Sequence, residues 1–380
     1  MVSKPALLLL PALIASATTA PRFEELSARA RGAEQAGDYR TAVSVLEGAA
    51  ALRPDDRETA AELAHGYEEL GRIEKAASFL RRAVERWPRD YQLRVSLAQD
   101  YVKLGRLAWA RREFAAARAL DAKAREAYIR EGYADAKAGD YADAEKTFRA
   151  FLDKSPDDPA ANHHMGVYLA LRGRWPDAER YLRKAIALLE ADPKASPEDV
   201  THSTVWLAKI LEKEKRPDEA EAVYLNGWRR FKDLNDRGYR VVLGTGLAGL
   251  YVREGRPKDA EAALLAEIAQ CPPSQSCYTN VENAGALSAL AALYADQGRL
   301  AQAREHADRV WGIYEHADHV NPLDFNQHAL ALIDTTRTYE VLGDSKRAAQ
   351  VYRFLLGFKD ELAASGLLQA VQRSLKSLER

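Results

Sequence analysis

Along the first half of the chain the apolar positions recur at two periods at once, that of a helical turn and one of 34 residues. Gly37, Gly71, Gly105, Gly139 and Gly173 stand 34 residues apart without a slip. Five residues after each comes an alanine (Ala42, Ala76, Ala110, Ala144, Ala178), and four further on a large apolar residue (Leu46, Leu80, Phe114, Phe148, Leu182). With Ala49, Ala83, Ala117, Phe151 and Ala185 they make an i, i+4, i+7 stripe, one face of a helix. Upstream of the glycine, "LAHGY" from Leu63 and "LAQDY" from Leu97 repeat that stripe, so every repeat predicts two helices. The glycine ends the first of them in a left-handed conformation that residues bearing a Cβ adopt only at a cost. An Asp or Pro often stands beside the start of the second, as in "GDY" at Gly37 and "GRP" at Gly255, suited to capping and the first turn. Pro54, Pro88 and Pro156 mark where the second helix stops.

The second half keeps the pattern with longer spacers, in "KRPDEA" at Lys215, "GRPKDA" at Gly255, "GRLAQA" at Gly298 and "GDSKRA" at Gly343, at a period of 40 to 45 residues. The stretch "ADPKASPED" from Ala191 reads as a loop or an extended helix end between two sub-arrays. Nine units run from Phe23 to about Leu362. Beyond them Leu367, Val371 and Leu375 share one stripe, with Gln372, Arg373 and Lys376 on the other side, a capping helix of the kind an open stack requires.

Taken together these recurring positions resemble the tetratricopeptide repeat family, a helical hairpin with small residues at fixed contact points and a terminal proline. The chain departs from that pattern at the early tryptophan, which no unit carries, and at the terminal proline of the third unit, which is Ala122. The resemblance implies an all-α fold, a right-handed superhelical solenoid of about nine hairpins. The expected organisation is a leader over 1–20, five regular repeats over 21–194, four longer ones over 195–362 and the capping helix over 363–380.

The leader is read from "MVSKPALLLLPALIASATTAP", in which Lys4 precedes an apolar run from Ala6 to Ile14 and then small residues, the layout of a secretory signal peptide with cleavage after Ala17 or Ala20. The run is short for a permanent membrane helix, and no transmembrane segment is expected in the mature chain. An uncleaved anchor or a frayed first helix is the alternative. The Ala- and Arg-rich composition suggests a bacterial periplasm. With 55 basic and 56 acidic residues interspersed, the chain carries no basic footprint for nucleic acid.

Candidate chemistry is sparse. Gly244, Gly246 and Gly249 spell the dinucleotide-binding G-x-G-x-x-G, but Leu247, Ala248 and Tyr251 are in register with the "LA..Y" of the other first helices, so the glycines are expected to permit close helix packing instead. His306, His316, His319 and His328 supply too few ligands for a tetrahedral metal site. No nucleophile elbow, phosphate loop or carboxylate pair is identifiable, and neither catalysis nor a cofactor is expected.

The expected function is therefore a surface. The resemblance implies a concave wall lined by first helices, with the ninth position of each unit facing it: Arg31, His65, Gln99, Tyr133, Val167, Lys209, Gly249, Ala292 and Arg337. The fifth position adds Val95, Ile129 and His163. The family's chaperone-binding members clamp a peptide carboxylate with Lys and Asn at such places, and no Asn occupies any of them here. The reading is a protein-binding scaffold of the cell envelope with one or more protein or peptide partners. The alternatives are an envelope glycan binder stacking sugars on Tyr133, Trp175 and Trp206, and an accessory helical module of a larger enzyme complex.

Both cysteines of the chain, Cys271 and Cys277, flank "PPSQS" between the seventh and eighth units. Their spacing does not fit the C-x-x-C redox motif and supplies too few ligands for zinc, whereas an exported chain meets an oxidising compartment, so a local disulfide is expected.

Overall fold

The 34-residue period is built as helix pairs joined by a turn of two or three residues. The structure, a computed structural model, describes residues 10–121, 125–231, 238–269, 283–315, 325–364 and 366–379, and all regular structure among them is helical. Compactness divides it between Met165 and Gly166. In the first unit α1 (Leu10–Gln35) pairs with α2 (Tyr39–Leu52), α3 (Arg57–Glu69) with α4 (Ile73–Arg86), α5 (Tyr91–Lys103) with α6 (Leu107–Leu120) and α7 (Arg125–Ala138) with α8 (Tyr141–Lys154). The division falls inside α9 (Pro159–Leu171), which precedes α10 (Trp175–Ala191). The second unit continues with α11 (Pro197–Lys213) and α12 (Pro217–Arg230), α13 (Gly238–Arg253) and α14 (Pro257–Ala269), α15 (Ala284–Asp296) and α16 (Leu300–Glu315), and α17 (Phe325–Val341) and α18 (Ser345–Leu355). It closes with a short α19 (Lys359–Ala364) and α20 (Leu368–Leu378), on which Val371 is buried.

The turns repeat one geometry. Gly105 has φ +70°, its N–H bonds to Val102 O at 3.0 Å, and the N–H of Arg106 reaches back to Tyr101 O at 2.7 Å, the paired bonds of a Schellman motif. Among the described residues Lys215 is the one non-glycine with positive φ (59°), and it makes the same two bonds, to Glu212 O and from Arg216 to Leu211 O. The two quoted helix starts are as expected, Asp38 accepting the Thr41 N–H and Pro257 opening α14. Asp38 and Asp344 do cap their second helices, but Asp140 makes no cap bond and instead accepts from Arg111 at 2.6 Å. The recurrent caps are Asp56, Asp90 and Asp158, whose carboxylates accept the first backbone N–H groups of α3, α5 and α9.

Each second-helix stripe is core. Leu46, Phe114, Phe148, Phe151 and Leu182 are buried, as are the alanines that follow the turn glycines. The close helix approach expected of the α13 glycines is seen at Gly246, where a Cβ would stand 2.7 Å from the Tyr224 ring. The whole G-x-G-x-x-G lies within helix α13. One stripe position breaks the apolar rule: Glu267 of α14 is fully buried, accepts from Trp228 Nε1 at 2.6 Å and lies 3.3 Å from the buried Arg240 Nε.

Successive repeats are also tied by a polar staple. Glu221 of α12 accepts from Tyr251 Oη (2.8 Å) and pairs with Arg256 (2.6 Å), whose guanidinium lies 4.3 Å over the Tyr251 ring. Glu261, Tyr294 and Arg299 repeat the set one hairpin later. The arginine holds the carboxyls of Glu221 and Glu261 below their usual range, and burial beside Glu221 pushes the Tyr251 hydroxyl up to about 12.

Candidate functional site: two grooves lined by first helices

In the first unit, the exposed faces of α5 and α7 leave a groove of about 660 Å³. Its floor is apolar, with Val102, Phe114, Ile129 and Ala134, and its edges are polar and mostly cationic, with Gln99, Lys103, Arg125, Arg130 and Lys137 beside Glu126. Tyr133 closes one side, its ring edge-on to Phe148 and its hydroxyl 2.9 Å from His164 Nδ1; burial raises its pKa. With its amide oxygen turned to Arg130, Gln99 accepts from Nη1 at 3.1 Å, while Arg130 Nε donates to Glu126 at 2.8 Å. Lys103 bridges Glu68 (2.5 Å) and the fully buried Asp100 (3.5 Å). Burial, reinforced by Glu68, pushes the Asp100 carboxyl up to about 7.

A second groove, of about 610 Å³, lies within the second unit between α11 and α13. Trp206, Lys209, Ile210 and Lys213 come from α11, and Thr245, Gly246, Gly249 and Arg253 from α13, with Trp175 at the start of α10 and Tyr224 beneath. Gly249 leaves room for the Arg253 guanidinium along this wall, since a Cβ there would stand 3.2 Å from its Nη1. The Lys209 ammonium lies 5.7 Å from the Trp206 ring centroid, and Arg253 is held by Glu212 at 2.6 Å.

The expected wall positions are thus split. Gln99, Ile129 and Tyr133 meet in the first groove, and Lys209 and Gly249 in the second. Arg31 and His65 are exposed on α1 and α3, outside both; the His65 ring meets Tyr39 edge-on and lies 3.9 Å from Glu69. His163 packs edge-on against His164, and Arg337 is exposed and paired to Asp334 at 3.2 Å. Val95 and Val167 are buried. What the expected set lacked is the next turn of the same helix face: Lys103, Lys137, Lys213 and Arg253 each lie four residues after Gln99, Tyr133, Lys209 and Gly249.

No group of His, Cys, Asp or Glu that could hold a metal ion is found among the described residues. His306 and His328 bond to Gln302 O and Tyr314 Oη at 2.9 Å each. His316, His319 and the Cys271–Cys277 segment lie outside the described residues. No helix among those described is long and apolar enough to cross a membrane.

Tetratricopeptide repeat family models match residues 33–85, 95–159 with 129–196, and 283–317, together half of the chain. Among solved structures, the chain is similar to a tetratricopeptide repeat protein from Parabacteroides merdae (15% identity over 68% of this chain and 96% of that one, TM-score 0.44). It is also similar to MamA (19%, 43% and 95%, TM-score 0.37) and to PilF of Pseudomonas aeruginosa (14%, 63% and 95%, TM-score 0.41). No curated protein matches. With the helical hairpins, their left-handed turns and the matched repeats in agreement, the chain belongs to the tetratricopeptide repeat family.

Proposed function

We propose that this chain is a non-enzymatic protein-binding scaffold that works through the faces of its first helices, exported to a bacterial cell envelope by its N-terminal segment. The observation that carries the reading is the first-unit groove, in which Gln99, Ile129 and Tyr133 join an apolar floor to a polar rim. That layout suits a peptide side chain below and backbone carbonyls above. Export would also place Cys271 and Cys277 where a local bridge persists.

The test is capture of crosslinked partners from envelope fractions by the parent chain and by a Gln99→Ala, Ile129→Ala, Tyr133→Ala variant. The variant is expected to keep its helical content and lose capture; equal capture would remove the groove from the account. A glycan-binding reading is favoured by one observation, that Trp175 and Trp206 line the same groove. Retention on envelope-glycan resin without any protein partner would support it.

A further inference from the structure

The two grooves differ in the chemistry they offer. In the second-unit groove the charge is mainly cationic, three cations against one carboxylate. Lys209 and Lys213 are exposed, and among the described residues neither makes an ion pair. Arg253 adds a third cation, exposed although held by Glu212. The acceptors are two: Glu212, whose Oε2 receives both bonds from Arg253, and the Thr245 hydroxyl oxygen, whose proton goes to the carbonyls of Val241 and Val242 at 2.8 and 3.0 Å. No Asn, Gln or Asp lines the groove. Beside the cations lie two half-buried indoles, Trp175 and Trp206, with Ile210 and Tyr224 completing an apolar wall.

A neutral sugar presents hydroxyls that both donate and accept, and it needs carboxylates or amides opposite them. This groove offers no amide and one carboxylate, Glu212, which is already engaged by Arg253. An extended peptide presents carbonyl acceptors, and acidic side chains add charge of the sign that Lys209, Lys213 and Arg253 complement. An apolar ring between those carboxylates has the indoles to pack on. Resting on the protein-binding reading above, we propose that the second-unit groove takes an acidic peptide segment of a partner protein, an aromatic side chain seated on Trp206 and Trp175 and its flanking carboxylates meeting Lys209 and Lys213. A volume of about 610 Å³ is of the size that holds a few residues rather than a folded surface.

The probe is an end-capped fluorescent peptide with glutamates flanking one central phenylalanine, titrated into the full chain and followed by anisotropy. Controls replace its glutamates by glutamine or lysine, or its phenylalanine by glycine, and a neutral oligosaccharide is run beside it. We expect the acidic aromatic peptide to bind at least about tenfold more tightly than each peptide control, and to weaken steeply as salt rises to about 0.3 M. The double charge reversal Lys209→Glu, Lys213→Glu, at two exposed positions, should remove that preference while circular dichroism stays unchanged. Trp206→Ala should lower affinity for the phenylalanine peptide more than for the glycine one. No binding, equal binding of the glutamine peptide, or salt-insensitive binding of the oligosaccharide overturns the inference. If protein crosslinks form in the first groove while the acidic peptide is ignored, this inference falls alone; if no groove position yields a protein crosslink, the protein-binding reading falls as well.

Discussion

Replacing Gly105 isolates the turn that defines the repeat. Its φ is +70°, and a Cβ built there would meet nothing within 4 Å, so an added methyl group brings no clash and its cost is purely conformational. A left-handed L-residue costs about 1–2 kcal/mol, and the stiffer unfolded chain returns about 0.4–1 kcal/mol. Gly105→Ala should therefore destabilise by ~1 kcal/mol, and Gly105→Val by more because the side chain is β-branched. Lys215 supplies the reverse experiment, since it already holds φ 59° at the equivalent place. Lys215→Gly should be neutral to stabilising by up to ~1 kcal/mol, from the same two terms with opposite sign. The assay is reversible urea unfolding followed at 222 nm, with the midpoint expected to move and the slope unchanged. An unmoved midpoint for both Gly105 variants, or a loss above ~1 kcal/mol in Lys215→Gly, refutes the reasoning that backbone conformation alone selects glycine there.

Three further outcomes follow from buried or bridged groups. Asp100 is an acid with its folded pKa raised to about 7, so its ionisation opposes folding, a penalty that grows as pH rises from about 4 through 7. Asp100→Asn should raise the melting temperature at pH 8 and converge with the parent near pH 4; a pH-independent difference would contradict this. Removing one member of the buried Arg240–Glu267 pair, as Glu267→Ala, should cost about 3–5 kcal/mol, while Arg240→Met with Glu267→Leu should recover most of it; similar losses in the single and double variants would contradict the pairing. For Cys271 and Cys277 we expect both thiols protected in one peptide when the exported protein is alkylated without reductant. So small a loop contributes at most ~2.4 kcal/mol, so the reduced protein should stay folded. Two freely alkylated thiols would exclude the bridge.

Much of the fold was legible because most repeats state it twice, in a glycine that must be left-handed and in an apolar stripe that must be buried. Both signals are local, and Gly105 with Phe114 shows them meeting in one hairpin. The grooves were less legible, because counting to one facing position stops a turn early. Gln99 and Lys209 were reached, whereas Lys103 and Lys213, one turn on, look like any solvated lysine until the neighbouring helix is in place. Glu267 was hidden for the opposite reason. A charge at a core position is tolerable only with its partners, and Arg240 and Trp228 are 27 and 39 residues away in sequence. The same distance conceals the Glu221–Tyr251–Arg256 staple, whose members sit on neighbouring hairpins.

The central claim, that partners are held by the first-helix faces, is tested most directly by site-specific photo-crosslinking in intact cells. A benzophenone amino acid is placed in turn at Gln99, Ile129, Trp206 and Lys209 in the grooves, and at the exposed second-helix positions Arg81, Lys146 and Lys184. The account predicts discrete protein adducts from the groove positions and none from the second-helix set. Adducts confined to the second-helix positions, or equal labelling of both sets, would contradict it.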